Sequence, residues 1–201
     1  MAAPAPHNRT DSLAAGPPRV CIVVSRYNDA VTGSMRAAAE AAYASRFAGR
    51  DDLYLGIVEA PGAYELTALS AAAIESGAYE GVVALGCVIR GETDHDRYIS
   101  QAVASGLTTL SLQSGVPVAF GVITANTREQ AIARAGGTDG QQPGTGQQLG
   151  NKGTEAMDAL LDTIDAARHL YDTAADGVPA NFSLSRTLTD KTGAPASAGS
   201  S

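Results

Sequence analysis

The sequence predicts a three-layer α/β fold in which helices cover both faces of a four-stranded parallel sheet. Two observations predict it. Continuous apolar runs, such as residues 20–24 and 81–89, are typical of strands that are buried on both faces. These runs alternate with longer segments whose apolar residues recur at helical spacing. Such alternation along a chain is the pattern of a parallel sheet.

Nine elements are predicted in order along the chain. The strands are expected at residues 20–24, 53–58, 81–89 and 116–124, and the helices at 30–47, 64–76, 94–113, 127–135 and 154–171. Gly77 and Gly115 follow two of the helices and are placed to end them. Thr93 and Thr127 are each followed three positions later by a polar acceptor, which predicts a capping box at the third and fourth helices.

One folded domain, at residues 19–171, is expected from a chain of 201 residues of which 44% are hydrophobic. Residues 1–18 are rich in Ala and Pro, and residues 172–201 are dominated by small and polar side chains. Both ends are therefore expected to be disordered. The N-terminus lacks the apolar segment of a signal peptide, and we expect the protein to be cytoplasmic.

Composition disfavours several classes of function. A net charge of −7 without a basic cluster argues against nucleic acid binding. The apolar runs fall well short of the ~20 residues that a membrane span needs. Cys21 and Cys87 lie inside predicted strands without CxxC spacing, so we expect two reduced core thiols and no disulfide or metal site.

The stretch from residue 86 to residue 98 is the strongest candidate for a site. In the flavodoxin-like strand order 2-1-3-4, ligands bind between strands one and three, beyond their carboxyl ends. The third strand ends there in a charged turn, and a helix start carrying His95 follows. Helix-start amides bind anions, and an imidazole exchanges protons near pH 7. This pattern indicates chemistry on a small phosphorylated molecule, the alternative being a solvated histidine.

Five further residues have both a functional and a structural interpretation. Tyr27 could stack on a planar heterocycle or pack within its loop. The Glu65 carboxylate could face a ligand or simply favour a helix dipole. Arg134 and Lys152 could hold a phosphate, although an arginine in this setting is more often solvated. For Phe120, in the middle of a strand, core packing is the default.

Together these features resemble the lumazine synthase family of riboflavin biosynthesis, over residues 20 to about 170. Six segments carry the resemblance, in family order: residues 25–32, 60–66, 84–95, 116–124, 129–136 and 150–156. The third, Ala-Leu-Gly-Cys-Val-Ile-Arg-Gly-Glu-Thr-Asp-His95, is highly specific. The resemblance implies condensation of 5-amino-6-(D-ribitylamino)uracil with 3,4-dihydroxy-2-butanone 4-phosphate, without metal or organic cofactor. The product is 6,7-dimethyl-8-ribityllumazine, with loss of phosphate and water.

The resemblance also implies roles for named residues. Tyr27 should stack on the pyrimidine with Asn28 beside it. The ribityl chain should contact Ala63, Tyr64 and Glu65. The pyrimidine should meet the backbone of Cys87, Val88 and Ile89. Phosphate should lie against Glu92 and Thr93, with His95 as proton donor and acceptor. A neighbouring subunit should contribute Phe120, Lys152 and the principal phosphate ligand, Arg134.

Four departures from the family pattern are visible. Tyr27 replaces the commoner Phe, which preserves stacking. Asp94 stands where Pro or Thr is usual, and its charge should weaken phosphate binding. The loop at 136–150 is about ten residues longer than in shell-forming members, so we expect a homo-oligomer that is a pentamer or a dimer of pentamers, not a 60-subunit capsid. The polar C-terminal tail has no functional account.

Three other functions are alternatives to this interpretation. An aldolase-like enzyme would use Lys152 to form a Schiff base with a ketone. A second alternative is a non-catalytic flavodoxin-like binding or receiver domain. A receiver would need an acidic pair after strand one and an Asp ending strand three, and this chain has Ser25-Arg26-Tyr27 and Cys87-Val88-Ile89 there. The archaeal type of riboflavin synthase has a similar fold, but the set of His95, Arg134 and Lys152 disfavours it.

Overall fold

A computed structural model describes residues 16–137 and 150–175. The elements are β1 (Val20–Ser25), α1 (Asp29–Arg46), β2 (Leu55–Ala60), α2 (Leu66–Glu75), β3 (Gly81–Ile89), α3 (His95–Ser114), β4 (Val118–Ala125), α4 (Arg128–Arg134) and α5 (Lys152–Ala175). All strand pairs are parallel and the order is β2-β1-β3-β4, which confirms the predicted sheet. The chain divides into two units at residue 164, and the whole sheet lies in the first.

Each face of the sheet is covered by its own apolar core. Side chains alternate between the faces along a strand, so Val20 and Ile22 pack with one set of helices and Cys21 and Val23 with the other. The first core contains residues of α1, α4 and α5, and the second contains residues of α2 and α3. Burial on both faces explains why β1 and β3 are continuously apolar.

Several element boundaries differ from prediction by two residues. Strand β2 begins at Leu55 and helix α2 at Leu66, each two residues later than expected. Helix α5 begins at Lys152, two residues earlier, so Lys152 lies on a helix and not in a loop. Gly77 and Gly115 adopt the left-handed conformation after α2 and α3, as their positions predicted.

Only one of the two predicted capping boxes forms its cap. The Thr127 hydroxyl accepts a hydrogen bond from the Gln130 amide at 3.3 Å, while the Gln130 side chain accepts from the amide of Asn126. The prediction for Thr93 was wrong, because Asp94 occupies the N-cap of α3 and no side chain caps this helix. The Asp94 carboxylate therefore makes no capping bond to α3.

Both thiols are free and buried, as predicted. Burial raises the pKa of Cys21 and of Cys87 to about 11, so each remains protonated at neutral pH and is a poor nucleophile. Within residues 16–137 and 150–175, no cluster of three or more His, Cys, Asp or Glu side chains is arranged to hold a metal ion. No helix in these ranges is both long and apolar enough to cross a membrane.

Candidate active site

Asn28 connects the two strand ends that border the predicted crevice. It follows β1 in the left-handed conformation, with φ 62° and ψ 42°, which Asn tolerates better than most residues. Its side-chain amide donates a hydrogen bond to the Cys87 carbonyl of β3 at 3.1 Å. The Thr32 hydroxyl, on the first turn of α1, donates to the Ser25 carbonyl at 2.7 Å. These bonds fix the loop that carries Tyr27.

Two tyrosines lie in loops beyond the carboxyl ends of the strands. Tyr27 is 71% exposed and Tyr64 is 63% exposed. The exposure of Tyr27 argues against packing within its loop and leaves the ring accessible for stacking. Ala63 is buried, and Glu65 is the N-cap of α2, where its charge also favours the helix dipole. Both interpretations of Glu65 therefore remain compatible with its position.

The end of β3 and the start of α3 form the other wall of the crevice. Cys87 and Val88 are buried and Ile89 is partly buried, while Glu92, Thr93 and His95 are exposed. The Thr93 hydroxyl lies 2.6 Å from Nδ1 of His95. This hydrogen bond orients the ring, so Nε2 is the ring nitrogen that remains for a further partner.

The remaining predicted residues form a second group along the edge strand β4. Phe120 is 40% exposed and lines a groove of about 250 Å³ together with Lys152 and Glu155. Oε2 of Glu155 lies 3.3 Å from Nη2 of Arg134 and 3.4 Å from Nζ of Lys152. The structure thus brings Arg134 and Lys152 to the same carboxylate, that of Glu155.

Phe120, in the second group, lies at a different position along the strands from the crevice residues. Phe120 pairs with Ala84, whereas the crevice lies beyond the pair of Ile89 and Ala125, five residues farther along both strands. At ~3.3 Å per residue, Phe120 is about 16 Å from the carboxyl end of β4. Within one chain, the aromatic residue of the second group therefore does not reach the crevice.

Sequence reasoning did not assign a role to two residues at the start of α5. The side chain of Asn151 donates to the Ala135 carbonyl at 2.5 Å and accepts from the Gly153 amide at 2.8 Å. It joins the end of α4, next to Arg134, to the start of α5. Glu155 is the other missed residue. Both lie in a segment that carried the family resemblance, but their type alone did not indicate these contacts.

A polar cavity adjoins the crevice on the other side of β3. It has a volume of about 280 Å³, lies at the carboxyl ends of β3 and β4, and is lined by Arg90, Asp96, Ser100 and Gln130 among others. Of the predicted site residues, Val88 borders it. The cavity is therefore lined mostly by residues outside the predicted site.

Comparison with known proteins places the chain in a family. Residues 17–168 match the family model described as 6,7-dimethyl-8-ribityllumazine synthase. The chain is 41% identical to 6,7-dimethyl-8-ribityllumazine synthase 1 of Caulobacter vibrioides over 161 residues, 79% of this chain and 95% of that protein. It is 39% identical to the synthase of Helicobacter hepaticus and 40% identical to that of Levilactobacillus brevis, covering 77% and 78% of this chain and 92% of each relative. The chain therefore belongs to the 6,7-dimethyl-8-ribityllumazine synthase family.

Proposed function

We propose that the protein condenses 5-amino-6-(D-ribitylamino)uracil with 3,4-dihydroxy-2-butanone 4-phosphate to give 6,7-dimethyl-8-ribityllumazine, phosphate and water. Membership of the synthase family supports this transferase activity. The observation that carries the proposal within the structure is the exposed His95, oriented by Thr93 at the start of α3 and beside the crevice between β1 and β3. The cytoplasmic location stays a prediction.

In the proposed reaction the pyrimidine supplies its own nucleophile. Its amine forms an imine with the ketone, water leaves, phosphate is eliminated, and ring closure with loss of a second water completes the product. His95 moves protons in these steps. Otherwise the protein orients the two reactants in one site and stabilises the phosphate. These two contributions supply the rest of the rate acceleration. The proposed reaction needs no metal or organic cofactor.

The pyrimidine is assigned to the crevice at the ends of β1, β2 and β3. The exposure of Tyr27 supports stacking on the ring, and Asn28 lies beside it. The ribityl chain is assigned to the segment Ala63–Glu65, and the pyrimidine edge to the backbone of Cys87–Ile89. These assignments rest on the family resemblance and on the position of each loop at one edge of the sheet.

The phosphate is assigned to Glu92 and Thr93 from one subunit and to Arg134 and Lys152, with Phe120 nearby, from its neighbour. The separation of about 16 Å between Phe120 and the crevice supports a site completed by a second copy. We propose a pentamer or a dimer of pentamers. Light scattering should give a mass of five or ten chains, and a megadalton particle would contradict this.

The decisive experiment mixes both substrates with the purified protein and follows lumazine absorbance and fluorescence. The His95→Ala variant should lose part of the rate and not all of it, because orientation alone sustains much of the acceleration. Borohydride added with the ketone tests the aldolase alternative. Reduction should leave Lys152 unmodified, and a trapped adduct would favour Schiff-base chemistry instead.

A further inference from the structure

We propose that Glu155 is an internal counter-ion of the phosphate site, competing with bound phosphate for Arg134 and Lys152 and so weakening the hold of the protein on phosphate. The inference rests on the proposed function, because it takes these two cations as phosphate ligands. Its consequence is that the carboxylate favours release of the phosphate product.

The contacts of Glu155 place a single carboxylate oxygen between the two cations. Oε2 is 3.3 Å from the guanidinium of Arg134 and 3.4 Å from the ammonium of Lys152. An oxygen of bound phosphate would occupy the position of Glu155 Oε2, since Arg134 and Lys152 bind phosphate through the same N–H donors that contact the carboxylate. Carboxylate and phosphate are therefore alternative partners of one cation pair.

These ion pairs are weak, so a bound phosphate can replace the Glu155 carboxylate at little cost in free energy. The side chains of Arg134, Lys152 and Glu155 are 35%, 28% and 41% exposed, and both distances are long for charge-assisted hydrogen bonds. Partly exposed pairs of this kind contribute little to stability. The carboxylate still cancels one of the two positive charges, and this reduces the attraction for a dianion.

The backbone at Glu155 is held while its side chain can exchange partners. The Glu155 amide donates to the Asn151 carbonyl at 3.1 Å, and Asn151 is itself bonded to the end of α4. Oε1 faces Gly150, where a Cβ atom would lie 3.0 Å away. The carboxylate thus stays near the cations even when phosphate displaces it, and continues to repel the anion.

The test measures binding of inorganic phosphate to the full-length protein by titration calorimetry, without catalysis. Glu155→Gln removes the charge with little change in shape and should tighten the Kd for phosphate by about fivefold. The KM for the phosphorylated ketone should fall by a similar factor, while the KM for the pyrimidine stays unchanged. A purely structural role would not produce this split.

Asp162→Asn is the matched control. Asp162 lies two turns farther along α5 and pairs with Arg46 at 2.5 Å, so its substitution also removes a cation-paired carboxylate. It should leave phosphate binding unchanged. Equal, weaker or undetectable phosphate binding by the Glu155→Gln variant overturns the inference. The proposed function fails separately, if the unmodified protein forms no lumazine.

Discussion

Gly153 is the position at which the packing of α5 against α1 tolerates no side chain. An added Cβ would collide with the Met35 carbonyl oxygen and would lie 2.6 Å from its carbonyl carbon. These are backbone atoms in the middle of α1, so no side-chain rotation can relieve the contact. Gly153→Ala should therefore displace the start of α5, which carries Lys152 and Glu155.

The size of the destabilisation by Gly153→Ala follows from the atoms that the added Cβ would contact, which belong to the backbone of Met35. Overpacking a well-packed site costs about 1–3 kcal/mol, and occasionally more. Because the obstacle is helix backbone, we expect a loss of about 3 kcal/mol in the free energy of unfolding, at the upper end of that range. Gly33, within α1, is the matched control, since a Cβ there would meet nothing within 4 Å. Gly33→Ala should stabilise the protein by about 0.5–1 kcal/mol through helix propensity.

Urea unfolding at one fixed protein concentration measures both variants, since assembly makes the midpoint depend on concentration. The same chemical change should lower the midpoint at Gly153 and raise it at Gly33. The Gly153→Ala variant should also show a raised KM for the phosphorylated ketone. A free energy of unfolding for Gly153→Ala within about 0.5 kcal/mol of that of the unmodified protein, the usual range of neutral surface changes, would refute the predicted clash.

Two other outcomes are expected. Asp94→Thr removes a charge at the start of α3 that makes no capping bond. The KM for the phosphorylated substrate should then fall about twofold to fivefold. An unchanged KM would count against repulsion between the Asp94 carboxylate and the substrate phosphate. Because burial raises the pKa of Cys21 and Cys87 from 9.0 to about 11, the contribution of these two thiols to stability should be constant below about pH 9 and fall as pH rises towards 11. A double Cys→Ala variant, in which the tyrosines still titrate, should lose part of this slope in alkaline urea unfolding, and an identical slope would contradict the assignment.

The parts of the fold that could be predicted are those fixed by local sequence. The apolar run at 81–89 predicts β3 to the residue, since both faces of the strand are buried. Gly77 and Gly115 mark helix ends because the left-handed conformation there favours glycine. The exposed crevice residues around Tyr27 and His95 follow from the strand order, which places consecutive loops at one edge of the sheet.

The two threonine signals show where local sequence becomes ambiguous. Thr127 has the extended backbone that an N-cap requires, with φ −135° and ψ 161°, and its hydroxyl accepts from the helix. The Thr93 hydroxyl has a closer alternative, since Nδ1 of His95 lies 2.6 Å away, and the helix begins one residue later. The same spacing therefore gives a cap at one helix and an oriented imidazole at the other, and only the site geometry distinguishes them.

Scarcity explains which site residues the sequence could indicate and which it could not. His95 and Lys152 are conspicuous in the sequence, because the chain has three histidines in all and lysine occurs only at positions 152 and 191. Glu155 is one of 21 acidic residues, and its type carries no such information. Its role depends on Arg134, which is 21 positions away in sequence and contacts it only in the folded chain. Asn28 and Cys87 are likewise 59 positions apart. A residue whose function is to modulate its neighbours is therefore found from contacts, and testing Glu155 tests that distinction directly.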